Sequence, residues 1–354
     1  MLLKTLQVSD VPALDQVHEI STSSPFLPKT LKSSNFTVIG HRGNGMNSLS
    51  STNPTMENSI LSFNKAGKFP IQFIEFDVQV TSDDHPIIFH DSFILAKNKG
   101  EKRVTDLSLN QFLSYNSKAL LRKTHDGEIL DWSVENHENP LCTLQEAFLK
   151  VDPHLGFNIE LKFDDEVAYK DEELIHSLQI VLNCVYQYSG DRKIIFSSFS
   201  PDAARLVRGL QNLYPVFFLT DGGVEIYGDD RRNSLEEAVK LCRECGLQGI
   251  VSEVRALMRK PSVISEVREA GLGLMSYGKL NNIGEIVWLQ NLMGIDGVIV
   301  DRVQEITEVV SGFAGLKDEG REDEGKLLVG PRFSQVELEF VLKLIPELAK
   351  GKGC

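Results

Sequence analysis

Eight short apolar runs, at 36–40, 73–78, 156–161, 193–197, 216–219, 249–251, 273–277 and 297–300, set the strongest limit on the fold. Most are followed by a stretch whose apolar residues recur at helical spacing, namely 59–68, 172–188, 202–213, 234–245, 261–270 and 283–293. A strand that is apolar at nearly every position has no face to give to water, so it belongs in a parallel sheet covered by helices. Eight such units predict an α/β fold, a closed (β/α)8 TIM barrel, ahead of an open doubly wound sheet. In a barrel, chemistry collects where strands end and loops begin. Here those ends carry His41, Asp77, Glu160 with Lys162, Ser197 with Ser198, Glu253, Tyr277 and Asp301.

The rest of the chain divides around that repeat. Residues 1–35 read as a flexible N-terminal arm and 36–315 as the barrel domain. Residues 92–140 are polar, with short apolar patches, and read as an insertion after the second strand that forms a lid or a leaving-group pocket over the rim. Residues 316–354 read as a charged linker followed by an amphipathic C-terminal helix at 334–349. A formal charge of -13 argues against nucleic acid or an anionic membrane as the main partner, because both call for a basic surface. No apolar run reaches the roughly 18 residues of a membrane span, so no integral membrane segment is expected. Five cysteines and no apolar leader predict free thiols in a reducing compartment. The expectation is a soluble, cytoplasmic protein, with the plastid stroma as the alternative if the arm is a transit peptide; Asp10, Asp15 and Glu19 speak against that. Nothing in the sequence sets an oligomeric state.

Three constellations carry chemistry. Glu75 and Asp77 lie two apart in a strand, so both carboxylates point to one face, and Ile71, Phe73, Ile74, Phe76, Val78 and Val80 around them argue that this face is buried. Two buried carboxylates side by side call for a cation. Glu160 and Lys162 repeat the spacing, and Glu160 can complete a three-carboxylate site whose oxygen donors favour Mg²⁺ or Ca²⁺ over zinc. His41 and His90 each follow an apolar run and stand beside polar groups, which suits a proton-transfer pair. Arg42 offers a forked donor to a phosphate oxygen. Glu57 and Asn58 open a helix, where a cap or first-turn acid is ordinary, and that reading stands at least level with a site role. Cys242 and Cys245 form a C-x-x-C with no second pair, which argues against zinc or redox use.

Taken in order, His41-Arg42-Gly43, Glu57-Asn58, Glu75-Phe76-Asp77-Val78, His90-Asp91, Cys142-Thr143-Leu144-Gln145-Glu146, Glu160-Leu161-Lys162 and Asp296-Gly297-Val298-Ile299-Val300-Asp301 resemble the glycerophosphodiester phosphodiesterase family. The resemblance covers about residues 36–310. It implies a TIM barrel with a segment inserted after the second strand, a divalent cation (Mg²⁺ first, Ca²⁺ second) and hydrolysis of small-molecule glycerophosphodiesters, such as glycerophosphocholine, to sn-glycerol 3-phosphate and an alcohol. By position it implies Glu75, Asp77 and Glu160 as metal ligands, His41 and His90 as the acid/base pair, and Arg42 and Lys162 as phosphate grips. Tyr277 stands where the family often has tryptophan and is expected as an aromatic substrate-binding wall, and the stretch from Gly43 to Glu57 is longer than usual in the family. The rival functions are a lysophospholipase D and a non-catalytic barrel that binds glycerophosphodiesters.

Overall fold

The computed structural model describes residues 36–47, 55–96, 100–115, 120–123, 129–131 and 141–312. The expected N-terminal arm, the charged linker and C-terminal helix of 316–354, and parts of the 92–140 insertion lie outside these residues. Fourteen strands are described: β1 Thr37–Gly40, β2 Phe73–Val80, β3 Pro86–Ile88, β4 Phe93–Ala96, β5 Gly100–Arg103, β6 Leu120–Lys123, β7 Ile129–Asp131, β8 Cys142–Thr143, β9 Gly156–Leu161, β10 Ile194–Ser198, β11 Val216–Thr220, β12 Gly249–Glu253, β13 Gly273–Tyr277 and β14 Gly297–Val300. The helices are α1 Ile60–Ala66, α2 Leu109–Leu113, α3 Leu144–Lys150, α4 Asp171–Tyr188, α5 Pro201–Leu210, α6 Leu235–Cys245, α7 Val254–Arg259, α8 Val263–Glu269, α9 Gly284–Met293 and α10 Val303–Ser311.

Strands β1, β2 and β9 to β14 pair in parallel and close into a barrel: the order runs β1-β14-β13-β12-β11-β10-β9-β2, and β1 returns to β2. All eight apolar runs of the sequence are therefore barrel strands. Their alternation sorts side chains. Ile39, Phe73, Ile195, Phe217, Val251, Met275 and Ile299 fill the interior, while Ile74, Phe76, Val78, Phe157, Ile159 and Leu161 face the helices in the larger outer core.

The edge of β2 is what opens the site. β9 accompanies β2 from Phe73 opposite Gly156 to Val78 opposite Leu161. On the other edge β1 pairs only with Phe73 and Ile74, and β3 pairs antiparallel from Val78 onward. Between them, loop groups take the backbone of residues 75–77: Gly43 N–H donates to the Glu75 carbonyl (3.2 Å) and Phe89 N–H to the Asp77 carbonyl (3.0 Å). Those two bonds bring the loops carrying His41 and His90 to the same stretch of strand. The turn after β1 needs glycine: Gly43 and Gly45 have φ +91 and +98, and a β-carbon on Gly45 would collide with the Asp301 backbone.

The insertion after β2 is a folded unit of its own. β4 to β7 form an antiparallel sheet in the order β5-β4-β6-β7. One face covers a separate core of Phe89, Ile94, Ala96, Val104, Leu107, Phe112, Tyr115 and Leu141, joined by Met56 and Ile87. Among the described residues no helix is long and apolar enough to cross a membrane. The four described cysteines, Cys142, Cys184, Cys242 and Cys245, are free thiols.

Candidate active site

The alternation that buries Phe76 against the helices turns Glu75 and Asp77 into the barrel mouth. Register then does the rest: Asp77 lies directly opposite Glu160 on β9. One carboxylate oxygen from each of Glu75, Asp77 and Glu160 lies within 4.8 Å of the others, and all three residues are buried. Two cations face them. Lys162 Nζ donates to Glu160 Oε1 at 2.9 Å and lies 3.4 Å from Asp77 Oδ1. Arg42 donates its backbone N–H to Glu75 Oε2 (2.9 Å) and Nη1 to Glu57 Oε1 (2.9 Å), with Nε 3.6 Å from Asp77 Oδ2.

Four buried carboxylates, Glu57, Glu75, Asp77 and Glu160, face the two cations Arg42 and Lys162, so negative charge is in excess, and the proton equilibria show where it falls. Burial and the neighbouring Asp77 charge push the Glu75 carboxyl up to about 8. Burial also raises Glu160, against the pull of Lys162. For Asp77, burial is outweighed by His90, Lys162, Arg42 and the Asn58 hydrogen bond, which hold it far below the usual carboxylate range. Glu75 thus holds its proton to higher pH than an ordinary carboxyl, because burial and the Asp77 charge outweigh the pull of His41. A cluster of hard oxygen donors with one proton to give up fits a divalent cation such as Mg²⁺ or Ca²⁺.

The imidazoles flank this cluster. His41 Nδ1 lies 2.8 Å from Asp301 Oδ1, and its Nε2 is 3.9 Å from Glu75 Oε2. Burial opposes the imidazolium, but Asp301 overcomes it and the His41 pKa is raised. Asp301 is fixed in turn by Asn282 Nδ2 (2.9 Å) and the Met46 N–H (3.1 Å). His90 Nδ1 lies 2.8 Å from Asp91 Oδ1, while burial, Arg42 and Lys162 push its pKa down to about 4. Gln79 Nε2 holds this turn through the carbonyls of Phe89 (2.7 Å) and Asp91 (3.0 Å). In both histidines a carboxylate occupies Nδ1, which leaves Nε2 for other chemistry.

With this geometry in place, known proteins can be set beside it. The sequence profile of the Glycerophosphoryl diester phosphodiesterase family matches residues 41–305. The chain belongs to the glycerophosphoryl diester phosphodiesterase family. It is 52% identical to glycerophosphodiester phosphodiesterase GDPD2 of Arabidopsis thaliana, over 98% of this chain and 99% of that protein. It is 53% identical to GDPD1, chloroplastic, of the same organism, again over 98% and 99%. Among solved structures, an Oleispira antarctica phosphodiesterase in complex with the product sn-glycerol-3-phosphate shares the fold with a TM-score of 0.60, at 20% identity over 79% of this chain and 99% of that one.

In this member of the glycerophosphoryl diester phosphodiesterase family, Tyr277 stands apart from the carboxylate cluster. Its hydroxyl donates to Asp221 Oδ1 at 2.5 Å, and Tyr227 donates to the other Asp221 oxygen. The Tyr277 ring meets Phe199 edge-on at 5.7 Å, and Lys162 Nζ lies 5.9 Å from the Phe199 centroid. An aromatic wall therefore runs from Lys162 toward β13. Four residues given no site role from the sequence belong to the cluster: Glu57, Asn58, Asp301 and Asn282. Asn58 has φ +56 and places its amide on Asp77 at 2.8 Å, while Ser59, not Glu57 or Asn58, caps α1. The family strings Glu57-Asn58 and Asp296 to Asp301 were the available signal; Asn282 had none.

Proposed function

We propose that this chain is a metal-dependent phosphodiesterase that hydrolyses glycerophosphodiesters, such as glycerophosphocholine, to sn-glycerol 3-phosphate and an alcohol. The supporting observation is one mouth where a three-carboxylate oxygen set meets two imidazoles and two cationic side chains. Glu75, Asp77 and Glu160 would hold Mg²⁺ or Ca²⁺, with Mg²⁺ preferred. When bound, such a cation supplies Lewis-acid charge to a phosphoryl oxygen.

The chain's own residues do the remainder. Arg42 is pinned at Nη1 by Glu57, and its buried Nε lies 3.6 Å from Asp77 Oδ2 without a hydrogen bond; a donor so placed suits an anionic oxygen. Lys162 places its charge on the opposite side of Asp77. Together they counter the negative charge that shifts among the phosphate oxygens in the transition state. One imidazole takes the proton of the nucleophile, water or the glycerol 2-hydroxyl, and the other returns a proton to the departing alkoxide. Asp301 and Asp91 keep both rings in orientation. Tyr277 and Phe199 form the wall beside the non-phosphate part of the substrate.

The test offers purified protein glycerophosphocholine and, in parallel, a lysophosphatidylcholine, with Mg²⁺, Ca²⁺ or chelator. Release of glycerol 3-phosphate that chelator abolishes is the expected result. Release of lysophosphatidic acid instead would point to lysophospholipase D activity, and no turnover of either would leave a binding barrel. His41→Ala and His90→Ala should each remove turnover without loss of metal affinity; a fully active His41→Ala variant refutes the mechanism.

A further inference from the structure

The insertion sheet has a second face, and it looks into the mouth. Ile94 and Ala96 point into the insertion's own core, so Phe93 and Leu95 point the other way. Across the ladders Leu95 faces Glu101 on β5 and Leu121 on β6, and Phe93 faces Arg103. Phe93, Leu95, Glu101 and Leu121 line an open pocket of about 280 Å³ whose other walls are His90, Asp91, Ser92 and Lys162. The cavity thus shares two walls with the catalytic cluster, and it has the size for a small group rather than a long chain.

Its lining has a definite chemistry. Phe93 keeps 37% of its surface exposed, and Leu95 and Leu121 are partly buried, so the floor is apolar. The cations nearby are already engaged: Arg103 is bonded to Asp164 and stacks 4.6 Å from the Phe93 centroid, and Lys162 serves Glu160 and Asp77. Glu101 has no cationic partner among the described residues, and it sits at the edge of the apolar floor. A small alkylammonium group would find what it needs: methyl-sized apolar contact, an aromatic ring and an uncompensated carboxylate.

We propose that this face of the insertion binds the alcohol half of the diester and selects alcohols that carry an ammonium group. Phe93, Leu95 and Leu121 supply the apolar wall, and Glu101 supplies the counter-charge. The inference rests on the phosphodiesterase reading above and extends it to head-group choice. Among the described residues none of these four makes a hydrogen bond or ion pair with the carboxylate cluster, so their substitution changes selection rather than chemistry.

The test compares wild type with Glu101→Gln and Phe93→Ala on glycerophosphocholine, glycerophosphoethanolamine and the uncharged-alcohol diester glycerophosphoglycerol. Loss of one partly screened charge should raise KM for the two cationic substrates roughly three- to fivefold, with kcat held. Glycerophosphoglycerol should be unchanged. An equal loss on all three substrates, or an unaltered glycerophosphocholine KM, overturns the proposal. Saturation-transfer NMR with choline chloride separates this failure from failure of the enzymatic reading, since it needs no turnover. Choline binding to wild type that weakens in Glu101→Gln upholds the pocket even in a chain that hydrolyses nothing. Choline binding that is absent, or undiminished by the substitution, overturns it.

Discussion

Cation binding at Glu75, Asp77 and Glu160 should expel a proton, and the number can be worked from the site. The three candidate ligand carboxylates share one buried space with Glu57 and with the charges of Arg42 and Lys162. Burial and Asp77 push the Glu75 carboxyl up to about 8, so near pH 7 it is largely protonated in the metal-free protein. A divalent cation needs that carboxylate ionised. Mg²⁺ binding near pH 7 should then release up to about one proton per ion, and the apparent affinity should weaken as pH falls below 8. Isothermal titration in two buffers of different ionisation enthalpy counts the protons directly, and titrations at pH 6, 7 and 8 give the slope. The sign for stability follows from the same shift. A carboxyl whose folded pKa lies above its unfolded value of 4.5 favours the folded state at low pH. That contribution fades as pH rises from 4.5 to about 8, so the melting temperature of the chelated protein should fall over this window and Mg²⁺ should restore it. Glu75→Gln should abolish proton release. No proton release by wild type, with a flat affinity between pH 6 and 8, would sink the charge count on which the metal site rests.

Two further predictions probe the supports of the site. Asp301→Asn removes the carboxylate that raises the His41 pKa, so an NMR titration of the His41 ring should move to lower pH and kcat should drop roughly 10²-fold or more; a His41 titration that stays in place refutes the assigned contact. The raised His41 stabilises the fold below the ordinary imidazole pKa and stops doing so as pH passes its folded value, and the substitution should erase that dependence. Arg192→Met should cost about 2–4 kcal/mol in urea unfolding, because the buried guanidinium donates to the carbonyls of Val151 (2.9 Å), Asp152 (2.8 Å) and Leu155 (2.6 Å) where α3 ends. A loss well under 1 kcal/mol would mean that water satisfies those carbonyls instead.

The barrel was legible because its strands are buried on both faces, which writes each as an unbroken apolar run, and α4, α6 and α9 lie within a residue of the spans their spacing predicts. The insertion was less so. Its core draws on Ile94, Ala96, Val104, Leu107 and Phe112, too sparse in sequence to show a period, and only the paired strands reveal a second sheet face toward the mouth. The helix α3 carried a readable start in Thr143 and Glu146, whose reciprocal capping bonds are formed. The site divides along the same physical line. Strand residues converge by rules that need only alternation and parallel register, and these bring Glu75, Asp77, Glu160 and Lys162 to one face. Glu57 and Asn58 obey no such rule: a local reading saw the opening of α1 and was right about the helix. The left-handed turn at Asn58 and the reach of Glu57 to Arg42 depend on where β1 and β2 part. His41 and Asp301 are 260 residues apart and meet only because β14 closes on β1. Their contact is a consequence of barrel closure, so any change that loosens the β1 and β14 ladder should detune His41 before it disturbs the carboxylates on β2 and β9.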